Sequence, residues 1–272
     1  MNKIITRTTK SSKQKQYAAP ALTKGLDILE LMSDKFEAMS LKEIADQMGR
    51  SKGEIFRMLV ALAERGYLAF DPNSDKYSIT MKLFELAHRH PNVKRLTSVA
   101  SPIMEKLCAT VEQSCHLAIL QGGHGLIVAQ QNSPSGQRFG LRLGLNIPLS
   151  NTCSGHLLLG FSSQEKQERM LALQPKNLRR RFKKKELKEI KERVTSQGYE
   201  LIPSSQVQGV TDIGYPIFDY SGKIAATLVI PFLEYLDGSH TVSLTAAKTF
   251  LNDAAKEISK SLGHGTDLSL DL

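Results

Sequence analysis

The chain reads as an α+β protein in two parts: a small winged helix-turn-helix domain, then a larger domain of helices alternating with mainly antiparallel strands. Three observations lead there. Two short amphipathic helices, each opened by its own capping box, stand only a glycine turn apart. Two short β runs joined by turn residues follow them directly. Beyond these, strand-like alternation and helical spacing take turns along a stretch too long for one small core, and 272 residues leave room for both parts.

Residues 1–19 are polar and basic and form an arm, with Lys3, Arg7, Lys10, Lys13 and Lys15 preceding the first acid, Asp27. The first domain spans 20–80. Leu22, Leu26, Leu29 and Met32 recur at helical spacing and predict a helix that faces inward through them. Ser40-Leu41-Lys42-Glu43 is a capping box, and Leu41, Ile44, Ala45 and Met48 continue it as one helix that Gly49 ends. Ser51-Lys52-Gly53-Glu54 repeats the signal, with Ile55, Met58, Leu59 and Leu62 behind it. The outward residues of this second helix are Ser51, Lys52, Gly53, Phe56 and Arg57, which suit phosphates and base edges. Tyr67–Phe70 and Lys76–Ile79 flank the turn Asp71-Pro72-Asn73-Ser74-Asp75 as a wing, with Lys76 placed to touch a backbone nearby. A lone helix-turn-helix is a weak signal. The preceding helix, both caps and the wing together point to DNA.

A linker helix occupies 81–93, with Leu83, Leu86 and Ala87 inward, and Pro91-Asn92 breaks it. The second domain, 94–265, opens with helical spacing through Leu96, Val99, Ile103 and Leu107. Strands are expected at 116–120, 126–129, 199–202, 212–218 and 224–230. A helix from Leu157 to Phe161 and another around Leu187, Ile190 and Val194 lie between. A closing helix from about Ser239 to Leu262 turns Val242, Ala246, Phe250 and Ile258 inward, and 266–272 is a tail.

The net charge of +9 is uneven. Residues 176–198 hold ten basic and three acidic side chains, including the run Arg179–Lys185. That run leads into an amphipathic helix, so a solvated helix face competes with a second nucleic-acid site. A basic arm attracts polyphosphate, though it also serves solubility. The apolar stretch Ile224–Leu233 is far short of the ~20 residues a membrane span needs. No apolar core follows the first charges, so no secretory signal is expected. Cys108, Cys115 and Cys153 form no C-x-x-C pair, which fits a reducing, cytoplasmic setting. Neither a phosphate-binding G-x-x-x-x-G-K-[ST] loop nor a G-x-G-x-x-G fingerprint occurs, and no cofactor is expected.

From about Tyr17 to Gly263 the chain resembles the IclR family of transcriptional regulators. The likeness is carried by Ala21–Leu29, by Ile55-Phe56-Arg57-Met58-Leu59, by Arg142–Leu149, by Thr152–Leu159, and by Gly209–Asp219 with Ser221-Gly222. It departs at Glu54, often Ser or Thr in members, and at His156-Leu157, often Lys-Ala; both bear on operator and effector. The resemblance implies a GAF-like α/β effector-binding domain, a double-stranded operator as partner, and a homodimer or tetramer. It implies a small organic effector, commonly a carboxylate, held by Leu141, Cys153, Ser154, Gly155 and Asp212, to which we add Val229 and Pro231.

The residues supply a reason. Pro148–Gly155 runs from a loop into an apolar helix, and exposed amides at such an N-terminus suit a carboxylate. The plainer possibility is that Ser150 and Asn151 only cap that helix. Cys153, His156, His116, Asp237 and His240 are metal-ligand types without ligand spacing, and buried Cys and His are more often simply packed. A rival of another class is a cysteine-dependent hydrolase built on Cys153 and His156, with a helical N-terminal dimerisation arm. No orienting acid or oxyanion partner is evident for it.

Overall fold

The computed structural model describes residues 19–35, 37–88, 91–134, 139–175, 184–235 and 242–265, in two compact units that divide between His90 and Pro91. The first unit runs α1 (Pro20–Ser33), β1 (Met39–Ser40), α2 (Leu41–Met48), α3 (Lys52–Glu64), β2 (Leu68–Asp71), β3 (Lys76–Ile79) and α4 (Lys82–His88). Its sheet has the order β1-β3-β2, antiparallel throughout.

Both capping boxes form. The Ser40 and Ser51 hydroxyls accept from the Glu43 and Glu54 amides, and each glutamate takes its serine's amide in return. Gly49 closes α2 at φ 60°, a left-handed conformation that costs glycine nothing. Ile28, Met32, Ile44, Ile55, Leu59, Leu68 and Tyr77 make the core.

Two expected faces are corrected. Helix α1 packs through Gly25, Ile28, Leu29 and Met32, whereas Leu22 is 64% and Leu26 50% exposed. Leu29 and Met32 of the expected stripe do meet the core, but Gly25 and Ile28 complete that face in place of Leu22 and Leu26. Leu83 and Leu86 of α4 are likewise exposed rather than inward. The strand β1 was not anticipated, because two residues are too few to show alternation.

The second unit runs α5 (Pro91–Val111), β4 (Cys115–Gln121), β5 (His124–Gln131), β6 (Asn146–Ile147), α6 (Cys153–Gly160), α7 (Gln164–Ala172), α8 (Lys184–Gln197), β7 (Glu200–Pro203), β8 (Val210–Phe218), β9 (Ile224–Leu233) and α9 (Leu244–Ser261). Two helices meet near Pro91 as expected, but α5 opens at Pro91 itself rather than resuming at Val93, since proline suits a first helical turn. Helices α6 and α9 each begin away from the expected start. Thr152 caps α6, and Ser243 caps α9, which buries Ala247, Leu251, Ala254, Ala255 and Ile258 and leaves Phe250 exposed. Among the described residues one sheet of order β6-β5-β4-β9-β8-β7 forms the centre, each neighbouring pair antiparallel.

The strands alternate between two buried faces. Leu117, Ile213, Ile217, Leu228 and Ile230 face the core shared with Met104 and Leu107 of α5 and Leu251 and Ile258 of α9. His116, Asp212, Gly214, Val229 and Pro231 occupy the alternate positions. Cross-strand register sets Val229 beside both His116 and Gly214, and Asp212 beside Pro231. Helix α6 lies on this second face, where Cys153 and Leu157 join Val229 and Val194 of α8. Gly214 of β8 permits the approach: a β-carbon there would sit 2.6 Å from Cys153 Sγ and 2.9 Å from Leu157 Cδ1.

Candidate functional site

The first unit presents the N-terminal half of α3 as a cationic surface. Ser51, Lys52, Gly53 and Arg57 are exposed, and Phe56 is 49% exposed. Space is open around Gly53, with no described residue within 4 Å of a β-carbon placed there, so a partner can come close to its backbone. The remaining charge on this turn is occupied elsewhere: Glu54 is held at about 2 by the hydrogen bond from Lys24, 2.7 Å away, with the Ser51 cap adding to it. That ion pair ties α3 to α1 and removes an acid from the exposed face. Arg50, also exposed in the turn between the helices, belongs to the same surface and was missed because it falls outside both helical stripes. Lys76 differs. It stands in β3 opposite Ser40 and Asp71, half-buried, and its charge also reaches Glu43.

The second unit contains a cavity at the start of α6, with about 30 Å³ of free space. Leu141, Cys153, Ser154, Asp212, Val229 and Pro231 line it, joined by His116, Phe139, Ile147, Thr152, Ser204 and Gln206. Gly155 is off the wall. Its amide donates to the Thr152 hydroxyl at 3.0 Å, and it packs on Leu149. The cap of α6 is therefore Thr152 and neither Ser150 nor Asn151. The first two amides of the helix, on Cys153 and Ser154, have no intrahelical acceptor by position. These amides point a helix N-terminus at the cavity.

Burial tunes the ionisable groups there. It lowers His116 to about 4, so the ring is neutral near pH 7. His116 Nε2 lies 3.4 Å from the Ser154 hydroxyl, while Nδ1 is buried without a partner among the described residues. The same desolvation raises the Asp212 carboxyl to about 6. Cys153 is pushed well up, by burial first and then by the charges of Asp212 and Glu200. A thiol so held stays protonated and is a poor nucleophile.

His156 is not paired with Cys153. Its Nδ1 lies 2.7 Å from Glu200 Oε2 and its Nε2 3.1 Å from the Ser150 carbonyl. A carbonyl only accepts, so Nε2 donates there. Arg193 completes the cluster, Nη2 to Glu200 Oε2 at 2.6 Å and Nε to Oε1 at 3.2 Å. Burial alone would raise the Glu200 carboxyl, but hydrogen bonds from His156 and Arg193 outweigh it and hold the group at about 2. Among the described residues no three Cys, His, Asp or Glu side chains gather as a metal site. Asp237 and His240 lie outside the described residues, as do most of the Arg179–Lys185 run, the N-terminal arm up to residue 18 and the tail 266–272.

Comparison with known proteins places this arrangement. Residues 21–72 match the IclR helix-turn-helix domain, and residues 90–260 match the C-terminal domain of bacterial IclR transcriptional regulators. The regulator KdgR of Escherichia coli is 27% identical over 247 residues, covering 90% of this chain and 93% of its own. The regulator XynR of the same organism is 23% identical, covering 90% and 97%, and the repressor AllR of Salmonella typhi is 24% identical, covering 91% and 92%. The fold matches the crystal structure of Thermotoga maritima IclR at a TM-score of 0.69 and 22% identity, covering 89% of this chain and 98% of that one. An IclR homolog from Microbacterium hydrocarbonoxydans, complexed with 4-hydroxybenzoate, matches at 0.72 and 22%, with the same coverage. The curated relatives are regulators and repressors, not enzymes, in keeping with the buried, protonated Cys153 thiol. No helix among the described residues is long and apolar enough to cross a membrane. With an N-terminal helix-turn-helix, a C-terminal ligand-binding domain and both family models matched in order, this chain belongs to the IclR family of DNA-binding transcriptional regulators.

Proposed function

We propose that the protein is a cytoplasmic, homo-oligomeric regulator whose grip on an operator changes when a small carboxylate enters the cavity at the start of α6. Helix α3 enters the major groove, with Ser51, Lys52, Gly53, Phe56 and Arg57 toward DNA and Arg50 beside them. Lys76, shared with acids of its own unit, has a lesser part. The carboxylate lies against the Cys153 and Ser154 amides, and His116 and Asp212, with Ser204 and Gln206 also on the wall, offer polar groups to the rest of the ligand.

The observation that carries this is convergence. Leu141, Cys153 with Ser154, Asp212, and Val229 with Pro231 come from four separate segments and meet on one small cavity. Its free space of about 30 Å³ holds little more than water, so a metabolite must displace lining side chains. That displacement is the differential interaction a ligand needs to favour one conformation over another. Self-association is supported by the exposed apolar residues Leu22 and Leu26 of α1 and Leu83 and Leu86 of α4. The linker role of residues 81–93 belongs to the same proposal.

The test is recovery of bound genomic fragments, followed by duplex binding with and without a panel of small carboxylates. A carboxylate that shifts operator affinity, and does so at lower concentration near neutral pH in Asp212→Asn, where the repelling charge is gone, supports the reading. Duplex binding indifferent to every carboxylate, with a neutral or cationic metabolite effective instead, overturns the ligand class.

A further inference from the structure

Phe56 is an exposed ring in an unusual place. Buried Ile55 and Leu59 already serve the core side of α3, so packing does not explain a half-exposed phenylalanine one position away. Lys52 and Gly53, at i−4 and i−3, share its face, and Arg57 follows on the adjoining side; all three are exposed. The open space over Gly53, three residues earlier on that face, lets the helix backbone come close to a partner. The one acid in the first turns, Glu54, is drawn off by Lys24. An apolar ring framed by cations fits a polyanion that carries an apolar feature of its own. In the major groove only one base offers such a feature, the C5 methyl of thymine.

We propose that Phe56 reads a thymine methyl group in each operator half-site, making it a specificity-determining residue while Lys52 and Arg57 hold phosphates. This rests on the groove placement of α3 proposed above. Burying one methyl against the ring is worth about four-fold in affinity. A phosphate-holding residue weakens binding to all sequences alike, whereas Phe56 acts at one base pair.

The experiment takes a duplex selected from random sequence by the full chain. Each thymine is then replaced singly by deoxyuridine, which removes only the methyl. The expected result is one position per half-site where wild type binds about four-fold more weakly and Phe56→Ala binds both duplexes equally. Phe56→Leu, which keeps an apolar side chain, retains part of the difference. Comparing variants at the same position cancels any effect of uracil on duplex shape. The proposal is overturned if no thymine is methyl-sensitive in wild type, or if Phe56→Ala keeps the full sensitivity. Failure of wild type to select any duplex would take down the groove placement with it, a result distinct from selected duplexes that ignore the methyl.

Discussion

Asp212 and Arg57 show how two exposed or half-buried charges act through different physics. Burial raises the Asp212 carboxyl to about 6, so it is mostly ionised at pH 7.5 and mostly protonated at pH 5.5. Ionised, it repels an anionic ligand; protonated, it can donate a hydrogen bond to it. Acetate, taken as a small carboxylate probe of the proposed site, should therefore bind more tightly at pH 5.5 than at 7.5, by up to about ten-fold per unit above 6. Asp212→Asn should flatten that profile in a calorimetric titration. The linkage runs the other way for stability. A carboxyl raised on folding destabilises the native state above its unfolded value, so Asp212→Asn should raise the unfolding temperature at pH 7.5. Arg57, exposed on α3, should act through counterion release. Arg57→Ala is expected to weaken binding across sequences and to lower the salt slope by about one; an unchanged slope would contradict a phosphate contact. Sequence alone did not connect His116 with the cavity. Its partner across β4 and β9 is Val229, more than a hundred residues on, and no local pattern encodes such a register. Leu141 and Asp212 were reached through family resemblance, whereas Phe139, Ser204 and Gln206 carry no periodic signal to single them out.

Elements whose ends carry their own chemistry were legible. Ser40 with Glu43, and Ser51 with Glu54, state helix starts in four residues each, and Gly49 states an end. Faces were harder, because a helix with more apolar positions than its buried face holds, such as α1, does not say which of them meet the core. Short elements were invisible: β6 has two residues, and α7, capped by Ser163, has one buried residue, Met170. Buried polar pairing between elements was also hidden, as the cluster joining α6, α8 and β7 shows. Glu200 is 1% exposed, and its folded-state carboxyl at about 2 is depressed from the ordinary 4.5. A depressed carboxyl contributes stability that is present above the unfolded value and is lost as pH falls through the folded one. Roughly 3 kcal/mol should therefore disappear between about pH 4.5 and 2. Glu200→Gln should be less stable at pH 7 and should unfold less steeply over that acid range, as followed by circular dichroism. An acid transition as steep as wild type would show that the cluster is not linked to folding.

The two units draw on separate cores. Ile28, Ile44, Ile55, Leu59 and Leu68 serve the first; Leu117, Ile213, Leu228, Leu251 and Ile258 serve the second, and the clusters share no residue. Cooperativity follows shared burial, so each core should unfold as its own unit. Leu59 is fully buried in α3, and Leu59→Ala should cost about 2–5 kcal/mol through lost burial and the cavity left behind. Leu117→Ala should cost a similar amount in the other core. In thermal unfolding each substitution is expected to move one transition and leave the other in place. Leu59→Ala should then abolish duplex binding at temperatures where acetate still binds the second unit. A single transition shifted as a whole by either substitution would mean that the units fold as one. The ligand and operator would then be coupled through shared stability as well as through geometry, since whatever bound either site would hold both units folded.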